Sequence, residues 1–248
     1  MKNTKHDPSV TVIVPTRNER GTIRALLSRM PRLGSLVEII FVDGHSSDGT
    51  YKEIQRLRNH ASIPDWMTIR LYMQPGKGKW DAVSYGFEHA KGRIGIIFDA
   101  DLSVDPEVLP EVVSAVSSRE CLVTGSRFIY PQEKHAMRIL NHAGNIVFSR
   151  IFSLLTGSRI TDTLCGTKAF RMDTYRNILR VTRSFTRHDP YGDFTLLLGA
   201  AKLHLPVIEL PITYRARVYG KTNISRFRDG MKLLVVLAHA LSDFQKKS

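Results

Sequence analysis

The stretch Ile94-Gly95-Ile96-Ile97-Phe98-Asp99-Ala100-Asp101 places two acidic residues at the end of an apolar run. An apolar run of this length predicts a strand that is buried on both faces, from Ile94 to Phe98. Because side chains alternate along a strand, we expect Asp99 and Asp101 to point the same way. Two carboxylates this close repel each other and favour a shared cation, and Mg²⁺ and Mn²⁺ prefer oxygen ligands. The pair predicts a divalent metal site, with a solvated turn before a helix as the alternative.

Strand and helix patterns alternate over the first half of the chain. Apolar runs predict strands at 10–14, 37–42, 68–73, 94–98 and 121–124, and helical spacing predicts helices at 19–30, 50–58 and 79–90. Such repeats predict an α/β fold with a parallel, doubly wound sheet. Ligands of these sheets bind beyond the carboxyl ends of the strands, where this chain has polar clusters at 16–19, 43–48, 74–79 and 99–101.

The composition limits the classes of partner and compartment. The chain has 248 residues and a formal net charge of +13, which indicates nucleic acid, anionic lipid or phosphorylated substrates as partners. No apolar run approaches the roughly 18 to 20 residues that span a bilayer, and the first eight residues lack the apolar core of a signal peptide. We therefore expect a cytoplasmic protein, or one bound peripherally to the cytosolic face of a membrane. Cys121 and Cys165 are expected to be buried free thiols.

The second half of the chain is less regular and more basic. Apolar patterns predict a broad amphipathic helix at 136–155, a helix at 194–203, a strand at 207–210 and a C-terminal helix at 225–244. Helices of this kind are more often packing helices than membrane-facing ones. Basic residues gather towards the C-terminus: Arg215, Arg217, Lys221, Arg226 and Arg228.

The polar clusters of the first half suit a nucleotide with a diphosphate. Residues 15–19 can hold a base or ribose at a helix start, and Asp43 can accept hydrogen bonds from a base or a sugar hydroxyl. The turn Gly76-Lys77-Gly78-Lys79 suits a diphosphate, because it combines flexible backbone with two ammonium groups. Each cluster alone is also compatible with a capped or solvated turn. The chain lacks a dinucleotide fingerprint and a Gly-Lys-Ser/Thr phosphate loop, which disfavours NAD enzymes and P-loop NTPases.

In order and spacing, these motifs resemble glycosyltransferase family 2, whose members have the GT-A fold. The matching stretches are 12–19, Val42-Asp43-Gly44, 47–50, 76–78, Asp99-Ala100-Asp101-Leu102, Gly125-Ser126-Arg127, Asp162 with Gly166-Thr167-Lys168-Ala169-Phe170, and 209–212. The resemblance implies a Rossmann-like, mostly parallel sheet with helices on both faces, in a domain over 9–225. It also implies a nucleotide-sugar half at about 9–128, an acceptor half at about 129–225, and a separate C-terminal amphipathic helix at 226–248.

The family resemblance further implies an inverting, metal-dependent transfer of a hexose from a nucleotide sugar. It assigns Mg²⁺ or Mn²⁺ to Asp99 and Asp101, where the metal stabilises the departing nucleoside diphosphate. It assigns a GDP- or UDP-hexose to the following residues: Pro15, Thr16, Arg17, Glu19, Asp43, Asp48, Lys77, Asp99, Ala100 and Asp101.

The chain resembles one group within this family, the dolichyl-phosphate mannose synthases and related polyprenyl-phosphate glycosyltransferases. Residues 217–222 resemble that group's Arg-x-x-Gly-Lys-Ser element, and 136–155 resembles its interfacial helices. This likeness implies a polyprenyl phosphate acceptor, a membrane surface, and a homo-oligomer or a membrane-anchored partner subunit, without nucleic acid. It assigns the acceptor phosphate to Arg127, Arg138, Arg217 and Lys221.

The sequence departs from this group at three positions. Ser103 stands where a glutamine often follows the metal aspartates, and Asn141 stands where a serine near the acceptor phosphate is expected. Thr195 stands where many family members carry an acidic base, with Asp193 two residues earlier. A sugar hydroxyl needs a base as it attacks, whereas a phosphomonoester, with a second pKa near ~6, is already largely anionic. The missing base therefore favours a phosphate acceptor.

Two other functions remain open from the sequence. One is a family 2 transferase with a soluble or saccharide acceptor, in which Asp193 is the general base. The other is a non-catalytic basic protein that binds nucleic acid or a membrane, which is disfavoured because the chain has both aspartates and lacks an aromatic–basic recognition motif. The predicted catalytic residues are Asp101, Asp193 and Arg217.

Overall fold

The computed structural model describes residues 9–129, 139–184, 186, 189–220 and 226–245. Within these residues the strands are β1 Val10–Thr16, β2 Val37–Asp43, β3 Met67–Met73, β4 Ile94–Ile97, β5 Leu122–Ser126, β6 Lys168–Arg171 and β7 Val207–Pro211. They form one seven-stranded sheet in the order β3-β2-β1-β4-β6-β5-β7. The predicted α/β fold with a mostly parallel sheet is confirmed.

Helices connect the strands and cover both faces of the sheet. They are α1 Arg20–Arg29, α2 Thr50–Leu57, α3 Lys79–Glu88, α4 Leu109–Ser118, α5 Ile139–Thr156, α6 Met172–Thr182, α7 Asp193–Lys202 and α8 Arg226–Gln245. A 3-10 turn, Pro106–Val108, precedes α4. The predicted helices at 136–155 and 225–244 correspond to α5 and α8, and their first residues lie outside the described chain.

The register of the sheet brings the predicted polar clusters to one edge. β1 pairs in parallel with β2 and β4, and β2 pairs in parallel with β3. Thr16 is thereby opposite Asp43, and Asp43 is opposite Met73. Because parallel strands end at the same edge, the loops that follow β1, β2, β3 and β4 meet there.

The sequence patterns predict neither β6 nor α6. β6 lies between β4 and β5 and runs antiparallel to both, whereas β5 and β7 pair in parallel. This strand begins with Lys168 and ends with Arg171, so its two apolar residues do not form a recognisable run.

The cores on the two faces of the sheet come from alternate residues of the same strands. Val12 and Val14 of β1 pack on one face with Leu26 of α1, and Ile13 packs on the other face with Val83 of α3. Each of these side chains is fully buried. Burial of one such side chain contributes roughly 1.5–3 kcal/mol. The two cysteines are buried and free, as predicted.

Helix α7 is buried along its length, and α5, α6 and α8 each pack against it. The outer faces of α5 and α8 expose large apolar side chains. These are Ile146, Val147 and Leu154 on α5, and Met231, Leu234 and Val235 on α8. Among the helices of the described residues, none is long and apolar enough to cross a membrane.

The strand alternation predicted at Asp99 and Asp101 is not observed. β4 ends at Ile97, so a turn, and not the alternation of a strand, sets the directions of Asp99 and Asp101. Asn18 has a left-handed φ of 58°, and Glu19 occupies the position before α1.

Candidate active site

Four loops meet at the carboxyl edge of the sheet, and backbone hydrogen bonds join three of them. The Gly44 N–H donates to the Thr16 carbonyl over 2.8 Å, and the Gln74 N–H donates to the Asp43 carbonyl over 3.0 Å. These bonds connect the ends of β1, β2 and β3. The loop after β4, with Asp99 and Asp101, completes the floor of the site.

Asp43 is fully buried and has one oxygen without a partner. Its Oδ1 accepts a hydrogen bond from the Ser46 N–H over 2.8 Å. Its Oδ2 is buried and, within the described residues, accepts no hydrogen bond. A buried acceptor without a donor costs about 1–3 kcal/mol. A ligand that donates a hydrogen bond here would remove that cost, which agrees with the predicted contact to a base or ribose.

Asp48, predicted to bind the nucleotide sugar, accepts hydrogen bonds from this chain on both carboxylate oxygens, and its donor role stays a prediction. Its Oδ1 accepts from the backbone and hydroxyl of Thr50, and its Oδ2 accepts from the Arg20 N–H and from Tyr219 Oη. Burial alone would raise the pKa of Asp48, but these hydrogen bonds lower it below its usual range. The contacts give Asp48 a structural task at the starts of α1 and α2.

The remaining predicted nucleotide-side residues have varied surroundings. Thr16 is buried in β1 and Pro15 is half-buried beside it. The side chains of Arg17 and Lys77 are exposed, and the Ala100 side chain is part of the core. Their roles stay predictions.

Asp101 is held from two sides. The Ser103 backbone and hydroxyl donate to Asp101 Oδ1 over 3.0 and 2.7 Å, and Arg217 donates to Oδ2 over 3.3 Å. Ser103 replaces the glutamine of the related group, and here it orients a carboxylate.

Glu19 lies on the other side of the same guanidinium. Its Oε1 is 2.5 Å from Arg217 Nη2, and its Oε2 is buried and, among the described residues, has no hydrogen-bond partner. Burial raises the pKa of Glu19 to about 7, even though Arg217 acts in the opposite direction. Arg217 therefore connects the end of β1 with the acidic loop after β4.

Asp99 is paired with Lys79, the first residue of α3. The distance from Lys79 Nζ to Asp99 Oδ1 is 2.5 Å. Burial alone would lower the pKa of Lys79, but Asp99 and Asp193 raise it above the usual lysine value. Both lysines of the Gly76-Lys77-Gly78-Lys79 turn are candidates for a diphosphate, and Lys77 is the one predicted to bind the donor. In the structure, Lys79 is the one that contacts a candidate metal ligand.

Asp193, the candidate base, begins α7 and is paired with a buried lysine. Lys168 is 0% exposed, and its Nζ donates to Asp193 Oδ1 over 2.6 Å and to the Cys165 carbonyl over 2.5 Å. A fully buried lysine requires such partners. Lys168 lies in the stretch 166–170 that resembles the family, but no role was predicted for its side chain, although a lysine beside two apolar residues of a short buried strand is a usable signal.

Arg127, predicted to bind the acceptor phosphate, forms a bidentate ion pair with the fully buried Asp162. The Nε and Nη2 bonds measure 2.6 and 2.8 Å, and the guanidinium also lies 5.1 Å from the Tyr214 ring centre. Although burial opposes it, the contact with Asp162 raises the pKa of Arg127 further above its usual range. This pair anchors the end of β5, and a role in acceptor binding stays a prediction.

Residues 214–220 cross the carboxyl edge of the sheet. Tyr214 pairs with Val104 in an isolated bridge, and Arg215 pairs with Asp105 over 3.1 Å. Arg217 contacts Asp101 and Glu19 as described above, and the Tyr219 ring lies against Gly21 of α1. The predicted phosphate ligands Arg138 and Lys221, and the side chain of Asn141, lie outside the described part of the chain.

The donor set fits a divalent cation. Asp99 and Asp101 offer hard carboxylate oxygens, and each carboxylate is already neutralised by one cationic side chain that an ion would replace. The described residues contain no group of three or more His, Cys, Asp or Glu side chains arranged for a metal. A cation at these two residues would therefore depend on further oxygens from water or a bound phosphate.

Comparison with known proteins identifies relatives over most of the chain. The model of the family described as glycosyl transferase family 2 matches residues 11–180. A dolichol-phosphate mannosyltransferase of Pyrococcus furiosus is 29% identical over 87% of this chain and 59% of its own length. An undecaprenyl-phosphate 4-deoxy-4-formamido-L-arabinose transferase of Edwardsiella ictaluri is 26% identical over 86% of this chain, and a dolichyl-phosphate hexose transferase of Haloferax volcanii is 28% identical over 89% of both chains. The chain spans about 60% of the length of the first two relatives.

Solved structures with the same fold include glucosyl-3-phosphoglycerate synthase from Mycobacterium tuberculosis in complex with Mn²⁺, UDP and phosphoglyceric acid. That structure has a TM-score of 0.67 and 18% identity, and the match covers 95% of this chain and 78% of the other. This likeness shows that the chain has the GT-A fold of these glycosyltransferases.

Proposed function

Because the chain belongs to glycosyl transferase family 2, we propose that it transfers a hexose from a nucleotide sugar to a polyprenyl phosphate, with inversion at the anomeric carbon. The observation that carries this proposal is the meeting of Asp43, Asp99, Asp101 and Arg217 at one edge of the sheet. This edge combines an unpaired buried acceptor, two candidate metal ligands and a cation.

The donor binds at the ends of β1, β2 and β4. Asp43 Oδ2 accepts a hydrogen bond from the base or ribose, and the loop after β1 covers the same part of the nucleotide. Asp99 and Asp101 would hold Mg²⁺ or Mn²⁺, and the ion would supply positive charge to the diphosphate and to the leaving nucleoside diphosphate. The Mn²⁺ and UDP in the M. tuberculosis structure support this assignment by analogy of fold.

The acceptor is a lipid phosphate, as the names of the curated relatives suggest. Arg217 lies beside Asp101, so an acceptor phosphate that pairs with its guanidinium lies next to the donor. Arg127, Arg138 and Lys221 are the further candidates for this phosphate. An anionic phosphate needs cations to position it more than it needs a base.

Access to a lipid requires contact with a membrane, and we propose that α5 and α8 provide it. The exposed fractions are 85% for Leu154 of α5 and 62% for Met231 of α8. The net charge of +13 favours anionic lipids. The protein would then be peripheral on the cytosolic face of a membrane.

A second candidate is a family 2 transferase with a soluble acceptor and Asp193 as the base. Its support is the position of Asp193, because the charges of Asp193 and of Asp99 both act on Lys79. In the lipid-phosphate reaction Asp193 orients the sugar or a cation instead.

The test is a transfer assay with labelled GDP- and UDP-sugars, polyprenyl phosphate, detergent, and Mg²⁺ or Mn²⁺. We expect label in the organic phase for one donor, and a loss of more than about 100-fold in Asp101→Asn, because the leaving charge loses its stabilisation. Asp65→Asn, an exposed carboxylate, is the matched control. Donor turnover without lipid product would indicate a soluble acceptor. Turnover by Asp101→Asn near that of the wild type would contradict the role of Asp101 as a metal ligand.

A further inference from the structure

Lys79 lies where the donor side and the acceptor side of the site meet. Its Nζ is 2.5 Å from Asp99 Oδ1, and the charges of Asp193 and Asp101 also act on it. The side chains of Lys79 and Asp99 are 22% and 35% exposed, so the pair faces the open edge of the sheet and is not sealed in the core. A ligand that enters the site can therefore reach both partners.

The chain leaves space for this pair. A Cβ at Gly166 would lie 2.1 Å from Asp99 Oδ2 and 2.6 Å from Lys79 Nζ, so any other residue there would displace the pair. The start of α3 is also fixed from the acceptor side, because the Trp80 N–H donates to the Pro190 carbonyl over 3.2 Å. The loops that carry Asp99, Gly166 and Pro190 thus define the position of Lys79.

The neighbouring Lys77 provides a contrast. It belongs to the same Gly-Lys-Gly-Lys turn, but its side chain is exposed. The two lysines cannot be ranked from sequence, because both are compatible with a diphosphate at the head of a helix. The geometry selects Lys79.

We propose that Lys79 is an internal counter-ion of the donor site. Without metal, the Lys79 ammonium pairs with the Asp99 carboxylate. When a divalent cation replaces the ammonium there, Lys79 binds the donor diphosphate. The proposal rests on the proposed use of a nucleotide sugar. A lysine suits this exchange because its ammonium is a compact point charge on a flexible stem, and it binds phosphate without a fixed geometry. In the absence of donor, Lys79 and the metal compete for the same carboxylate.

The exchange predicts opposite effects of one substitution. Lys79→Met frees Asp99, so the affinity for Mn²⁺ without nucleotide should rise about tenfold, which is the effect of removing one partly exposed competing charge. The same variant loses the charge that receives the diphosphate, so its affinity for GDP or UDP in the presence of saturating Mn²⁺ should fall about tenfold. A change that merely damages the fold would weaken both.

The experiment measures free Mn²⁺ by electron paramagnetic resonance, and GDP and UDP binding by calorimetry, on the full chain. Lys79→Arg keeps the charge and should bind Mn²⁺ like the wild type. Lys52→Met, at an exposed position of α2, removes the same charge away from the site and should leave both affinities unchanged. Thermal unfolding of each variant reports on the fold.

Tighter Mn²⁺ binding together with weaker nucleotide binding in Lys79→Met supports the proposal. Equal or weaker Mn²⁺ binding in that variant overturns it, as does an equal gain in Lys52→Met. These readouts need no acceptor, so a failure of lipid-phosphate transfer would be seen separately, as normal nucleotide and Mn²⁺ binding without lipid product.

Discussion

At the scale of single residues, Glu19 lies in surroundings that disfavour a charge. It is 4% exposed, and one of its oxygens has no hydrogen-bond partner among the described residues. Burial raises its pKa to about 7 from an ordinary value of 4.5. The folded chain therefore binds a proton at Glu19 over a pH range in which the unfolded chain does not.

This shift predicts a loss of stability as the pH rises from about 4.5 to about 7. A carboxyl whose folded pKa is raised stabilises the fold below its unfolded pKa, and that contribution is lost as the pH passes the folded value. Glu19→Gln should remove this loss, which is about 3 kcal/mol at most. Urea unfolding between pH 4.5 and 8 would measure it, with exposed Glu111→Gln as the control. Parallel pH profiles for wild type and Glu19→Gln would contradict the assignment.

Arg217 is the residue on which the acceptor assignment depends. It lies between Glu19 and Asp101, where a lysine could provide a charge but not the same set of hydrogen bonds. Arg217→Ala should raise the KM for polyprenyl phosphate about tenfold or more and change the Kd for the nucleoside diphosphate much less. Kinetics with varied lipid and calorimetry with GDP or UDP separate the two effects. A loss of nucleotide binding alone would assign Arg217 to the donor.

The site residues that sequence reasoning found and missed differ in a physical way. Asp43, Asp99 and Asp101 follow apolar strands, so their place at the sheet edge is set by local pattern and topology. The turn with Lys79 could be predicted as a diphosphate site, but its ion pair with Asp99, 20 residues away, could not. The pairing of Lys168 with Asp193, 25 residues away, could not be predicted either, because sequence spacing does not encode such contacts.

At the scale of elements, the strands with continuous apolar runs could be predicted, and the charged one could not. Continuous apolar runs predict β1, β2 and β4 directly. β6 has only four residues with a cationic side chain at each end, so no such run predicts it. α6 follows it without a linker, since Arg171 both ends β6 and precedes the helix. Tertiary pairing with β4 and β5, not local propensity, fixes β6.

The contact between α3 and the start of α7 provides a stability test. Gly192 has a φ of 84°, and a Cβ there would lie 1.8 Å from the Trp80 ring. Gly157 has a similar φ of 63° with nothing within 4 Å. We expect Gly192→Ala to cost about 3 kcal/mol and Gly157→Ala about 1 kcal/mol of unfolding free energy. Chemical denaturation measures both, and equal costs would show that the Trp80 contact is unimportant.

At the scale of the whole molecule, charge and exposed apolar surface act together. The chain carries a net charge of +13, and α5 and α8 expose several large apolar side chains. Anionic membranes satisfy both features, because basic residues are attracted to the surface while apolar side chains enter it.

Binding to lipid vesicles tests this arrangement. The protein should co-sediment with anionic vesicles and much less with neutral ones, and binding should weaken as salt rises above about 0.1 M because exposed charges are screened. Replacement of both Leu154 and Met231 by Ser should weaken binding about 100-fold or more, because each substitution loses roughly 1.5–3 kcal/mol of apolar burial and every 1.4 kcal/mol is a factor of ten. Unchanged binding of that double variant would exclude α5 and α8 as the contact surface.

Transfer to a lipid phosphate is tested most directly by comparing two acceptors that differ only in the phosphate. Labelled donor, metal and detergent are supplied with polyprenyl phosphate or with the corresponding polyprenol, using wild type and Asp193→Asn. We expect lipid product from the phosphate alone, and we expect Asp193→Asn to retain measurable transfer because the acceptor is already anionic. Transfer to the alcohol, with complete loss in Asp193→Asn, would contradict it and identify Asp193 as the base of a hydroxyl-directed transferase.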